Sequence, residues 1–307
     1  MRENDTIEIE KLVHATTTVG FFYATNHGVD TASMRKEAAN FFDLDMEDKR
    51  KIHLSNSAHF RGYSCIDEEI TKGIPDHKET IDFGMEEKAE PERLEPWMAM
   101  RGPNQFPEKL PEMQKMVHDY MNQMSEVGKV IMESYAKGLK LEEDYFAKHF
   151  TRPASLLRFI KYPPTQGEKI GIGEHSDYGC LTLIDQDDVG GLQAKTLEGD
   201  WIDVTPIPGT FAVNIGDTLE GWSKSNDFKQ GARLRSTPHR VINRSNNKSR
   251  LSMPFFYEPD LEMEMPEGIE LKRDGMDPVQ TYGEHVYRSL AGSYPKMKPS
   301  AQATLST

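Results

Sequence analysis

Three side chains of the right type for metal chemistry stand in two short stretches. Gly173-Glu174-His175-Ser176-Asp177-Tyr178-Gly179 supplies an imidazole and a carboxylate, and Thr237-Pro238-His239-Arg240-Val241 supplies a second imidazole. His175 and Asp177 are two residues apart, so a β-strand would send both side chains from the same face. His239 joins them only if the fold closes the triangle. Two neutral imidazoles and one carboxylate occupy one face of a divalent iron and leave three positions open. A third stretch, Arg250-Leu251-Ser252, repeats the two-residue spacing with a guanidinium and a hydroxyl, a pair suited to one small carboxylate.

Together these pieces describe a site for a 2-oxo acid. Its keto oxygen and adjacent carboxylate can take two metal positions, and dioxygen can take the third. The far carboxylate then needs a fixed cation and hydroxyls. Arg250 and Ser252 offer them, with Tyr162 as a further hydroxyl from an earlier strand. A His-x-Asp pair alone is a weak signal, commonly a solvated surface pair. The later histidine and the Arg-x-Ser give it weight.

The remaining chemistry-bearing residues read as structural. His27, in the turn Asn26-His27-Gly28, reads as a hydrogen-bonded turn residue. Asn214 and Asp217 read as a turn and cap before a short helix. The methionines between residues 111 and 139 recur every three or four positions, as expected of a helix packed on a sheet.

The chain must position these groups within 307 residues, enough for a large core and one or two domains. Its net charge of -13 and lack of a basic run argue against a nucleic-acid partner. No apolar run approaches the roughly 20 residues needed to span a bilayer, and no apolar leader follows Met1-Arg2-Glu3. Two cysteines, Cys65 and Cys180, give no disulfide framework and fit a reducing, cytoplasmic setting.

Periodicity predicts helices over 7–19, 31–42, 46–52, 111–139, 142–150 and about 277–290, with helical turns at 218–223. A strand is expected near 20–24 and another over 78–84. Residues 55–73 and 91–107 read as loops. After Pro153 short apolar runs alternate with Gly, Asp and Pro turns, the pattern of a sandwich or jelly roll. The expected architecture is α+β with a mainly β core, a helical N-terminal layer (1–150), a jelly-roll core (151–294) and a tail (295–307).

Several motifs stand in one order: His175-Ser176-Asp177-Tyr178-Gly179, Gly190-Gly191-Leu192-Gln193, Asn214-Ile215-Gly216-Asp217, Thr237-Pro238-His239-Arg240-Val241 and Arg250-Leu251-Ser252-Met253-Pro254-Phe255-Phe256. With Gly20-Phe21-Phe22, Arg61-Gly62-Tyr63 and Gly102-Pro103-Asn104-Gln105, they resemble the 2-oxoglutarate/Fe(II)-dependent dioxygenases of the isopenicillin-N-synthase-like family. The resemblance runs from about Val19 to Tyr294. It implies a distorted double-stranded β-helix with flanking helices, and Fe(II), 2-oxoglutarate and O2 as cofactor and cosubstrates. It implies His175, Asp177 and His239 as iron ligands, and Arg250, Ser252 and Tyr162 around the 2-oxoglutarate carboxylate. Phe256 matches an aromatic on the substrate side. Ile160, Leu183, Arg61 and Tyr63 are further candidates for the substrate pocket.

The implied activity is hydroxylation, desaturation or cyclisation of a small molecule. Two alternatives stand beside it: an iron oxidase without 2-oxoglutarate, and a binding protein that kept the fold. In family members an extra strand usually precedes the first helix, whereas here the chain begins almost at that helix.

Overall fold

The computed structural model describes residues 3–89, 95–225, 233–265 and 279–293. The predicted tail at 295–307 and the first positions of the predicted last helix lie outside them.

Helix α1 (Glu3–Thr18) leads into strand β1 (Phe21–Thr25), followed by α2 (Thr31–Phe42) and α3 (Met46–Lys51). Asp30 caps α2, its carboxylate accepting the Ser33 amide at 3.1 Å. Strands β2 (Gly62–Ser64), β3 (Ile70–Thr71), β4 (Ile74–Pro75) and β5 (Glu79–Gly84) precede the long α4 (Met113–Gly138). The second half holds β6 (Leu156–Tyr162), β7 (Lys169–His175), β8 (Leu181–Gln186), β9 (Leu192–Lys195), β10 (Trp201–Asp203) and β11 (Thr210–Ile215). Helix α5 (Asp217–Trp222), β12 (His239–Asn243), β13 (Arg250–Tyr257) and α6 (Tyr282–Ser293) complete it.

A seven-stranded sheet has the order β1-β11-β8-β13-β6-β5-β2, and a four-stranded sheet has the order β10-β9-β12-β7. Between them lies a small apolar cluster that includes Phe21, Ile160, Tyr162, Ile184 and Val241. The outer face of the large sheet carries Leu157, Phe159, Leu183, Val213, Met253 and Phe255 into a much larger core with α4. Being covered on both faces, β8 is buried along its whole length, which is why Leu181-Thr182-Leu183-Ile184 reads as a continuous run. The α4 stripe follows the expected spacing, with Met113, Val117, Tyr120, Met124, Ile131 and Tyr135 all buried. Each such side chain contributes about 2 kcal/mol of apolar burial.

Four elements differ from expectation. Only the 3-10 turn Ala147–His149 forms where a helix over 142–150 is expected. The Ser55–Gly73 region holds two short strands, and the turn Pro96–Met100 interrupts the expected 91–107 loop. Strand β7 ends at His175, so Asp177 lies just beyond it. The same-face argument for His175 and Asp177 therefore does not hold. The loop after β7 brings the carboxylate round to the imidazoles.

Candidate active site

His175, the last residue of β7, pairs directly with His239, the first of β12. That register sets the two rings side by side, with centroids 4.2 Å apart. Each ring is tied through Nδ1. His175 Nδ1–H donates to the Gly173 carbonyl at 2.8 Å and His239 Nδ1–H to the Thr237 carbonyl at 3.0 Å. Both tethers leave the Nε2 lone pair for a metal. Asp177 Oδ1 lies 3.8 Å from His175 Nε2 and 3.6 Å from His239 Nε2.

The other carboxylate oxygen is held from behind. Asp177 Oδ2 accepts the Thr182 hydroxyl at 2.6 Å and the Asn214 amide at 2.7 Å. Asn214 thus orients the carboxylate and does more than shape a turn. The sequence signal for this is its position on an inward-facing strand, two residues before the Gly216-Asp217 turn. Burial alone would raise Asp177; the two imidazoles and these two hydrogen bonds outweigh it and keep the group anionic. Burial, then the neighbouring His239, lowers His175 and keeps it neutral. One carboxylate and two imidazoles are the donor set that Fe(II) takes, and their ligand atoms lie within 4.8 Å of one another.

Arg250 opens β13 opposite Tyr162 of β6 and is 1% exposed. Its guanidinium carbon stands 5.0 Å from the centre of the Tyr162 ring. One nitrogen, Nη2, donates to Gln186 Oε1 at 3.1 Å, while Nε and Nη1 are buried without a partner. Two orphan donors on a buried cation are costly unless an anion completes them. A carboxylate from 2-oxoglutarate fits that need. Ser252, two residues on, faces the same interior and is 4% exposed. A glycine at position 171 makes room for Tyr162, since a Cβ there would come within 2.6 Å of its ring.

A cleft of about 750 Å³, counted out to its open mouth, is lined by neighbours of this centre in sequence and in sheet register and not by the ligands themselves. Phe256 and Tyr178 line it, as do Arg61, Arg158, Met85 and Val286. Tyr178 directly follows Asp177. Phe256 lies opposite Thr182, the residue that holds Asp177. The cleft therefore abuts the metal-binding group.

Of the five candidate pocket residues, Phe256 and Arg61 line the cleft. The structure does not bring the other three to it. Leu183 points from the outer face of the sheet into the helix-packed core and is 0% exposed. Tyr63 lies in that same core and donates its hydroxyl to Glu79 at 2.8 Å. Ile160 packs with Tyr162 in the small inner cluster. Sequence reasoning missed Thr182, Arg158 and Glu258. Glu258 accepts the Cys180 amide at 2.8 Å and the Tyr282 hydroxyl at 2.7 Å, and burial pushes it up to about 8. Among the described residues a second donor group exists, His53, Cys65 and Glu68. There His53 Nε2 and Glu68 already engage each other at 3.0 Å.

Comparison with known proteins accords with this geometry. The non-haem dioxygenase N-terminal model matches residues 2–109, and the 2OG-Fe(II) oxygenase superfamily model matches residues 153–259. The chain is 35% identical to a homoarginine-6-hydroxylase of Glycine max, over 91% of this chain and 86% of that protein. It is 31% identical to a 1-aminocyclopropane-1-carboxylate oxidase of Dictyostelium discoideum, over 84% and 79%. A full-length Neurospora crassa protein, solved in complex with alpha-KG and thymine, superposes with a TM-score of 0.75 at 26% identity, covering 95% of this chain and 93% of that one. The chain belongs to the 2OG-Fe(II) oxygenase superfamily and is a jelly-roll dioxygenase that uses Fe(II), 2-oxoglutarate and O2 to oxidise a small molecule.

Proposed function

We propose that His175, Asp177 and His239 hold the iron, that Arg250, Ser252 and Tyr162 hold the far carboxylate of 2-oxoglutarate, and that the adjoining cleft admits a small substrate for hydroxylation. One observation carries the assignment: three donor atoms converge while Arg250, inside the same barrel, keeps two buried donors without a partner. The bound iron supplies the redox chemistry that couples loss of carbon dioxide from 2-oxoglutarate to oxidation of a C–H bond.

The chain's own part is positioning and exclusion. The Nδ1 tethers lock both rings, and Thr182 and Asn214 turn one oxygen of Asp177 toward them. Phe21 packs edge-on against His239 with centroids 5.6 Å apart, and covers that side of the ring from water. Phe256 and Tyr178 form the cleft wall nearest Asp177 and limit where a substrate carbon can lie.

Hydroxylation is favoured over desaturation or ring closure by the 35% identity to a protein named as a hydroxylase. A cytoplasmic setting, with no nucleic-acid or membrane partner, accords with the free thiols of Cys65 and Cys180 and the charge of -13. No helix among the described residues is long and apolar enough to cross a membrane. In this reading residues 1–150 are the N-terminal layer, 151–294 the jelly-roll core and 295–307 a tail.

Succinate release from 2-oxoglutarate tests the assignment. It should require Fe(II) and vanish in His175→Ala, Asp177→Ala and His239→Ala. Undiminished release in any of the three removes that residue from the metal site.

A further inference from the structure

Among the described residues, the other two arginines around the cleft are paired with carboxylates, and Arg61 is not. Arg158 makes a two-pronged contact with Asp82, at 2.6 and 2.7 Å, and reaches Glu69 at 3.1 Å. Arg101 bonds Glu87 and Glu262, each at 2.8 Å. Glu258 is held by Tyr282 and the Cys180 amide. Arg61 is 8% exposed and lines the same cleft, yet no carboxylate among the described residues lies within ion-pair distance of it. Among the described residues it donates to two backbone carbonyls, Met100 at 2.9 Å and Phe60 at 3.5 Å, and its buried Nε meets no partner there.

Two further features seat that guanidinium. Gly84 ends β5, and a Cβ there would fall 1.9 Å from Arg61 Nη2. Any other residue at position 84 would displace the arginine. Phe60, just before it, holds φ at 55°, a left-handed conformation that a bulky aromatic adopts at a cost of about 1 kcal/mol. A buried donor without a partner beside a left-handed residue calls for an explanation, and a ligand supplies one. Asp82, Glu87 and Glu86 lie near enough to favour the charge, and desolvation works against it, taking Arg61 down to about 10. Asp82 and Glu87 are already taken up by Arg158 and Arg101.

We propose that Arg61 is the substrate-anchoring residue of the cleft, and that the substrates of this enzyme carry a carboxylate which pairs with its guanidinium. Such a contact fixes one end of the molecule on the cleft wall and presents a carbon elsewhere along it toward the metal ligands. This reading rests on the cleft being the substrate site of the iron and 2-oxoglutarate centre.

The test uses four acids matched with their primary amides: an aliphatic, an aromatic and a basic L-amino acid, and hexanoate. Binding is read anaerobically as a melting-temperature shift of the full chain with Mn(II) and 2-oxoglutarate. Turnover is read as succinate release above the rate without substrate. We expect at least one acid to bind and turn over at least 10-fold better than its amide. Arg61→Met should erase that preference, with kcat/KM for the acid falling 10- to 100-fold, mostly through KM, and Arg61→Lys should restore part of it. Unliganded Arg61→Met should melt no lower than the parent, because it removes an unpaired buried charge. Acids and amides behaving alike, no acid binding, or Arg61→Met retaining the preference overturns the proposal. So does a melting loss of several degrees in Arg61→Met that Arg61→Lys repairs without restoring acid preference, since Arg61 would then be a structural brace. Acids that bind through Arg61 without any succinate release leave this proposal standing and sink the catalytic reading of the cleft. Release that neutral amides stimulate equally does the reverse.

Discussion

The metal-binding end and the substrate cleft lie side by side but are built differently. At the metal end nearly every group sits on a strand or one step from one: His175 and His239 face each other in register, and Arg250 stands opposite Tyr162. The cleft shares Asp82, Arg158 and Phe256 with the strands, but takes the rest of its walls from the segment around Leu54, Phe60 and Arg61, from Met85 and Met100, and from α6 with Tyr282 and Val286. A hydrogen-bonded ladder tolerates little change in spacing, whereas loops and helix ends accept substitution and insertion. On the proposed function, the iron and 2-oxoglutarate groups belong to the ladder, and the loops and α6 add the more changeable part of the substrate wall.

The largest effect should come from breaking the ladder's ligands. His239→Ala should bring iron binding and turnover below detection while the circular dichroism spectrum stays native. Next, Arg250→Met should raise KM for 2-oxoglutarate about 100-fold, because it removes charge-assisted bonds in a buried site. Steady-state kinetics at saturating iron measures this, and an unchanged KM would favour an oxidase that does without 2-oxoglutarate. Third, Asn214→Ala should weaken iron binding about 10-fold by freeing Asp177 Oδ2, as read by metal titration.

Two substitutions probe the far side of the sheet. Leu183→Ala should cost about 2–5 kcal/mol in denaturant unfolding and leave the kinetics of the folded fraction unchanged, because Leu183 packs on the helix layer. Met124→Leu, on α4, should stay under about 1.5 kcal/mol with normal turnover.

The same contrast explains what could be read from the residues alone. Strands β8 and β11 are legible because burial on both faces makes them largely apolar runs, and β6 and β13 because short apolar runs stand out within them. Strand β7, Lys-Ile-Gly-Ile-Gly-Glu-His, is less so, since its sheet leaves Lys169 and Ile170 exposed. Its end at His175, which puts Asp177 in a loop, leaves no periodic signal. Residue type places Leu183 and Tyr63 in the pocket, because it does not report which face of the sheet is buried against helices. A shift of one position, to Thr182 on the inner face, reaches the residue that holds Asp177. The pairing of Arg158 with Asp82, and the lack of such a partner for Arg61, depends on contacts between residues 76 positions apart. No local pattern encodes those.

The central claim is that one open iron site and one carboxylate clamp lie together inside this barrel. An anaerobic titration of the metal-free protein with Fe(II), then 2-oxoglutarate, followed by visible absorption, tests it most directly. A weak charge-transfer band that appears only after 2-oxoglutarate, and fails to appear in His239→Ala, is the predicted result. Iron binding with no band on adding 2-oxoglutarate, or a band that survives in His239→Ala, would contradict it.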